Sequence, residues 1–132
     1  MNINTLIQLS EMSNNDILQV IGTLTSFLRE RGFRFALRQH AFIDRLNSNE
    51  QSRGDITPED VVNTIKALFN NKKFLSHDFN KEEFEGIVTN FNTDLNIVFY
   101  AGKREFRFIT VKRRKDYKPD NHGGTKRFGV KV

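Results

Sequence analysis

Residues 83–112, EFEGIVTNFNTDLNIVFYAGKREFRFITVK, carry the pattern that decides the fold of this chain. Strand-forming residues fill Glu83–Phe91 and Leu95–Tyr100, and apolar and polar residues alternate through Glu105–Lys112 with the period of two that is typical of strands. Asn92-Thr93-Asp94 separates the first two segments and is rich in residues that favour hairpin turns. Ala101-Gly102-Lys103 follows the second segment and predicts another turn. The stretch therefore predicts three consecutive antiparallel strands.

A fourth strand is predicted over Arg127–Val132, where apolar residues again alternate with polar ones. A polar segment, Asp116–Thr125, precedes it, and its Pro119 and paired glycines predict a loop. In the third strand, alternation assigns Phe106, Phe108 and Thr110 to one face of the sheet and Arg107, Ile109 and Val111 to the other.

The first half of the chain has the pattern of helices. Capping residues at Ser13–Asp16 precede apolar residues at helical spacing, and Gly32 ends that run. Thr57–Asp60 is a second helix start, with Thr at the N-cap, Pro in the first turn and two acids that complement the helix dipole. Phe33–Leu37 is predicted to be a short strand and Gln39–Asn47 a helix. The chain is thus expected to be one α+β domain, in which N-terminal helices precede an antiparallel meander of about four strands.

The composition excludes several classes of protein. The chain has no Cys, which removes disulfides, thiolate zinc sites and cysteine nucleophiles. Its three His residues are scattered along the sequence and predict no metal site, and no phosphate-binding loop or other cofactor motif is present. The apolar runs are too short for a transmembrane helix and the first residues lack the features of a signal peptide, so we expect a cytoplasmic protein.

The charge is distributed unevenly along the chain. Ala101–Val132 contains eleven Lys and Arg residues and three acidic ones, a net charge of +8. The first hundred residues contain ten basic and thirteen acidic ones, a net charge of −3. Such a basic segment is typical of a surface that binds a polyanion, although a solvated tail has the same composition. We favour nucleic acid because the basic residues are interleaved with strand-forming ones.

Several side chains in the sequence suit metal-free cleavage of RNA. That reaction needs a base near the 2′-hydroxyl, cations around the pentacoordinate phosphate and an acid for the leaving 5′-oxygen. Histidine transfers protons near neutral pH, and arginine holds phosphate oxygens in bidentate hydrogen bonds. The candidates are His40, Arg45, Arg53, Thr110, Arg113, Tyr117 and His122. Taken singly, each also fits a packed or exposed structural residue.

Three segments of the chain resemble a known family. Phe35–Arg45 and Arg53–Val61 are similar to the strand, His-Ala helix and Arg-x-x-Ile-x-x-x-x-Val helix that open RelE-like proteins, and Glu105–Arg113 resembles their late Thr-x-x-Arg strand. These proteins belong to the barnase–EndoU–colicin–RelE group of metal-independent ribonucleases and toxins, which includes a phage endoribonuclease that acts on early messages. The resemblance covers Phe33–Val132 and implies a RelE-like nuclease-type domain there, with residues 1–32 as an N-terminal helical extension.

The resemblance also implies roles for individual residues. His40 would be the general base or would orient the scissile phosphate, and Arg53 would hold that phosphate. Thr110 and Arg113 would lie on the sheet face along which RNA runs, with Arg113 stabilising the transition state. The remaining residues expected to contact nucleic acid are Arg45, Arg107, Lys112, Arg114, Lys115, Tyr117, His122, Lys126 and Arg127. Among these, Tyr117 and His122 are the candidates for the general acid.

Two functional hypotheses follow. In the first, the protein binds single-stranded or ribosome-bound RNA and cleaves it without a metal or other cofactor, as a phage or toxin endoribonuclease. In the second, it is a non-catalytic basic phage protein that binds nucleic acid or an acidic host protein. Either kind of protein would act in the host cytosol or be packaged in a virion, and the first could have an antidote protein as partner.

Overall fold

The computed structural model describes residues 14–37, 56–115 and 125–132 of the chain. The helices precede four of the five strands, which is the order of an α+β domain, as the sequence predicts. The predicted helix over Gln39–Asn47 lies outside the described residues. In chain order the elements are α1 (Asn14–Glu30), β1 (Arg34–Leu37), α2 (Pro58–Leu68), α3 (Lys72–Leu75), β2 (Glu83–Asn90), β3 (Leu95–Gly102), β4 (Glu105–Arg113) and β5 (Lys126–Val130).

The first long helix ends, and the second begins, where the sequence predicts. Helix α1 ends at Glu30, and Gly32 follows in the left-handed conformation, with φ of 80°. The amide of Phe33 donates to the carbonyl of Leu28 at 2.8 Å, which closes the last turn. At the start of α2 the Thr57 hydroxyl accepts a hydrogen bond from the Asp60 amide at 3.1 Å, and Pro58 occupies the first turn. These local patterns therefore determine where α1 ends and where α2 begins.

The sheet is mixed and has five strands in the order β1-β4-β3-β2-β5. The three central strands are antiparallel neighbours joined by hairpins, as predicted. The prediction of a four-stranded antiparallel meander is wrong at the edges, because β5 pairs parallel to β2 and β1 pairs parallel to β4. Alternation in sequence shows which residues share a face, but it carries no information about which strand is the partner. The partners of the two edge strands are therefore visible only in the folded structure.

A β-bulge in β4 changes the predicted faces of that strand. Val98 pairs with Thr110 but Phe99 pairs with Phe108, so Ile109 is an extra residue on β4. As a result Val111 joins Phe106 and Phe108 on the side of the helices, where all three are buried. Thr110 lies on the opposite face, so its predicted place beside Phe106 and Phe108 is wrong.

The core lies between the helices and one face of the sheet and consists largely of phenylalanine. Helix α2 packs over β2, β3 and β5, and α1 packs against α2 and β1. Phe74, on the short helix α3, is fully buried at the centre of this layer. Its ring centroid lies between 4.9 and 6.3 Å from the centroids of Phe69, Phe79, Phe84, Phe99 and Phe128. Edge-on contacts of this kind add to the stabilisation from burial alone.

This arrangement leaves the other side of the sheet uncovered by the described helices. We call this side the second face. By register, one row across it contains Arg127, Ile87, Val98 and Thr110, from β5 through β2 and β3 to β4. None of the helices in the described ranges is long and apolar enough to cross a membrane.

Candidate nucleic-acid interface

One end of the second face is a network of paired charges. Glu105 forms ion pairs with Arg107, its neighbour but one on β4, and with Arg34 on β1, the latter at 3.5 Å. The guanidinium of Arg107 also lies 4.8 Å from the ring centroid of Tyr100 on β3, a cation–π distance. Because its charges are paired within the protein, this end offers little net positive charge to a ligand.

Tyr100 connects this network to β2. Its hydroxyl donates a hydrogen bond to Oε2 of Glu83 at 2.8 Å. The pKa of Tyr100 is raised, mainly because this hydrogen bond favours the neutral phenol, with smaller contributions from desolvation and from the negative charges of Glu83 and Glu105. The sequence pattern did not identify Tyr100, because a lone Tyr at a strand end reads as an ordinary half-exposed residue.

The other end of the second face is basic. By register, Lys112 on β4 lies in a row with Asn96, Thr89 and Gly129. Exposed basic residues follow at the ends of the strands. We call the group formed by Lys112, Arg114, Arg127 and Lys131 the basic patch; no strand pairing assigns Lys115, the next residue after Arg114, to this face. The patch contains four of the eleven basic residues of Ala101–Val132.

Asn96 fixes the backbone beneath the basic patch. Its side chain is buried, and its Nδ2 donates to the carbonyl oxygens of Asp94, Lys112 and Arg114 at 2.8–3.2 Å. Its Oδ1 accepts a hydrogen bond from the Thr89 hydroxyl at 2.7 Å. A buried amide that satisfies the carbonyls on both sides of Arg113 holds the end of β4 in a defined position. Lys112 and Arg114 are therefore carried on rigid backbone.

The centre of the second face is apolar and closed to solvent. Ile87 is fully buried and Val98 is 4% exposed, although both point away from the helices. Beside them the Oγ1 atom of Thr110 is buried and has no hydrogen-bond partner among the described residues. The basic patch therefore lies beside a closed apolar centre, and its cations lie toward the strand ends and the β5 edge.

Arg113 does not lie on the face expected for it. Its register partner is Leu95, a core residue, and its guanidinium forms an ion pair with Asp60 in the first turn of α2. Only 17% of the Arg113 side chain is exposed. Thr110 and Arg113 are three positions apart in a regular part of the strand, so their side chains leave the sheet on opposite faces. The expectation that both would line one RNA-binding face is wrong.

The remaining predicted site residues fall into two groups. Arg107 belongs to the paired network, and Lys126 lies on the helix side of the β5 edge, with its Nζ 5.8 Å from the ring centroid of Phe84. The others lie outside the described residues: His40, Arg45, Arg53, Tyr117 and His122. Of the four residues predicted to be catalytic, the structure thus places Thr110 and Arg113, and it does not bring them together.

A third histidine, His77, lies in a separate cleft. Its Nδ1 is 2.7 Å from Oε2 of Glu82, and its ring centroid is 4.6 Å from that of Phe84. Arg104 lines the same cleft and donates to Oδ1 of Asn80 at 2.9 Å. These contacts anchor the turn between α3 and β2 to the core. Within the described ranges no group of three or more His, Asp and Glu side chains is arranged to hold a metal ion.

Comparison of the chain with protein-family models, with curated proteins and with solved structures gives no match. The resemblance of the sequence to RelE-like proteins therefore stays a prediction.

Proposed function

We propose that the protein binds single-stranded RNA through the basic patch. The observation that supports this proposal is the separation of charge on the second face. The acidic side chains of the second face lie in the rows of Glu83 and Glu85 at one end, together with Arg34 and Arg107. Lys112 and Arg114 lie at the opposite end, and Arg127 lies at the β5 edge between them. A surface with this polarity attracts a phosphate backbone to one defined region.

The width of the patch favours a single strand. Lys112 and Arg127 lie on β4 and β5, which are three strand spacings apart in the sheet. At about 4.8 Å per spacing across the sheet, and about 7 Å for the two-residue offset along the strands, the two positions are roughly 16 Å apart. A flexible single strand can follow cations over this distance, and proteins that bind single strands commonly use a positive surface that tracks the backbone.

Metal-independent cleavage of the bound RNA is the activity that we propose to accompany binding. On the family resemblance, His40 transfers the proton of the 2′-hydroxyl and Arg53 holds the phosphate. The support for this activity is the resemblance of Phe35–Arg45, Arg53–Val61 and Glu105–Arg113 to RelE-like proteins. Arg113 is assigned a structural part, because it is paired with Asp60 on the other side of the sheet.

The binding proposal is tested by comparing two double variants that make the same change of charge at different surfaces. The double variant Lys112→Glu/Arg127→Glu reverses two cations of the basic patch. Lys66→Glu/Lys81→Glu makes an equal change at exposed residues of α2 and of the turn before β2. We expect the first variant to lose RNA binding in fluorescence anisotropy with a labelled single-stranded RNA, and the second to bind like the unaltered protein. Equal losses in both would show that only net charge matters, and the patch would be rejected.

The cleavage proposal is tested separately with labelled RNA in the presence of EDTA. We expect 2′,3′-cyclic phosphate ends with the unaltered protein and none with His40→Ala, while Arg113→Ala that is confirmed to be folded retains activity. Intact RNA with retained binding would support the non-catalytic hypothesis, in which the protein only binds nucleic acid. If the protein bound no RNA, the alternative ligand of that hypothesis, an acidic host protein, would be favoured.

A further inference from the structure

Phe91 is an aromatic residue held in place on the surface of the second face. It follows β2 directly, and its amide donates to the carbonyl of Val130 on β5 at 2.9 Å. Its side chain is 60% exposed. Among the described residues, the other large hydrophobic side chains that are exposed are aliphatic: Leu18, Leu75 and Val132. Packing in the hydrophobic core therefore does not account for the position of this aromatic ring.

Gly129 creates the place that the ring occupies. A Cβ atom added to Gly129 would lie 2.3 Å from Cε2 of Phe91 and 3.0 Å from its Cζ, closer than van der Waals contact permits. Gly129 pairs with Thr89, so this Cβ position belongs to the second face. The ring of Phe91 is therefore held against the bare backbone of β5, and the rest of the ring is open to a ligand.

Basic residues lie on both sides of Gly129 in the sequence. Arg127 on β5 precedes Gly129 by two residues, and Lys131, the residue directly after β5, follows it by two; both belong to the basic patch. Positions two residues apart in a strand are separated by roughly 7 Å and lie on the same face. The arrangement combines an aromatic surface with flanking positive charge, which is how proteins bind unstacked bases together with their phosphates.

We propose that Phe91 is a stacking platform for one unpaired base of the bound RNA, with Arg127 and Lys131 contacting the neighbouring phosphates. This inference rests on the proposed function and names the part of the ligand that this edge of the patch recognises. Stacking uses the face of the base, so it accepts any of the four bases. Duplex RNA, whose bases are stacked on each other, is excluded from this contact.

The test compares variants that separate the aromatic face from apolar bulk. Phe91→Leu keeps an apolar side chain and removes the ring, whereas Phe91→Tyr keeps the ring. Binding of a single-stranded RNA carrying 2-aminopurine is followed by fluorescence, with thermal unfolding measured for each variant. We expect Phe91→Leu to bind about tenfold more weakly and to lose the quenching of 2-aminopurine. Phe91→Tyr should retain both, and the salt dependence should be the same in all three proteins.

Failure of this inference can be told apart from failure of the proposed function. If the unaltered protein binds RNA and Phe91→Leu binds equally well, the basic patch stands and the platform is rejected. The same holds if an oligomer with abasic sites binds as tightly as intact RNA, because the ring then contacts no base. If the unaltered protein binds no RNA, both proposals fall.

Discussion

Lys112 and Arg113 are neighbours in the sequence, yet their side chains serve different layers of the molecule. Lys112 lies on the second face in the row of Asn96, whereas Arg113 reaches Asp60 at the start of α2. Successive strand residues point to opposite faces, so this division follows from the pleat of β4. The two positions therefore form a matched pair in which the same loss of charge has different consequences.

Arg113→Ala is expected to lower the free energy of unfolding by about 1–3 kcal/mol, because the carboxylate of Asp60 loses a charged hydrogen-bond partner in a largely buried position. Its RNA affinity should be unchanged. Lys112→Ala should have a smaller effect on stability, while reducing the steepness of log affinity against log salt by roughly 0.7. Urea denaturation and anisotropy titrations over a range of salt concentrations measure the two quantities. Loss of RNA affinity in folded Arg113→Ala would contradict this division of roles.

Tyr100 provides a prediction about pH. Glu83→Gln removes the charged acceptor that raises the pKa of Tyr100, so this pKa should fall toward the usual value of about 10. The raised pKa stabilises the folded protein below about pH 10, and this contribution is lost as the pH rises through the pKa of the folded state. Absorbance at 295 nm in a Tyr117→Phe background follows Tyr100 alone. Glu85→Gln changes the same charge on the same strand, and an equal fall in that variant would rule out the hydrogen bond as the main cause.

At the scale of single elements, local chemistry was readable from the sequence and pairing was not. The N-cap at Thr57 and the end of α1 near Gly32 were predicted correctly, because capping depends on residues within one turn. The face of Thr110 was predicted wrongly, because the bulge at Ile109 shifts the alternation by one residue. The parallel pairing of β1 and β5 has no local signature at all. For the same reason the sequence could assign Arg113 to a strand but could not show that Asp60 would face it.

The cap of α2 can be tested directly. Thr57→Ala removes the hydroxyl that accepts from the Asp60 amide, and we expect the free energy of unfolding to fall by about 1 kcal/mol. Thr57→Ser keeps the hydroxyl and should be close to the unaltered protein in urea denaturation. An equal loss in Thr57→Ser would point to the methyl group of Thr57 rather than to capping.

At the scale of the whole molecule, the formal net charge of +5 conceals an asymmetry. The acidic residues of the second face, Glu83, Glu85 and Glu105, share two adjacent rows, and the cations of the basic patch lie in the rows beyond them. The charge split seen along the sequence thus becomes a split across one surface. Phe91 adds an aromatic contact at the edge of that surface, which the sequence did not reveal because it reads as one of thirteen Phe residues.

RNA binding should therefore depend strongly on salt. If the four cations of the basic patch each neutralise one phosphate, the slope of log affinity against log salt should be about −2.8, since each contact to a single strand contributes roughly −0.7. Anisotropy titrations between low and moderate salt concentrations measure this slope. A slope near zero would mean that phosphates are not the main ligand of the patch.

The two parallel edge strands also have a consequence for how the protein opens. The central strands are joined by short hairpins, whereas β1 and β5 reach their partners β4 and β2 from distant parts of the chain. Closing such long loops costs entropy, so the edges should form last and separate first. Amide hydrogen exchange should then be slowest in β3 and fastest in β1. Because β5 carries Arg127 and Gly129, separation of this strand would remove Arg127 and the support of the Phe91 ring from the basic patch while the hairpins stay folded.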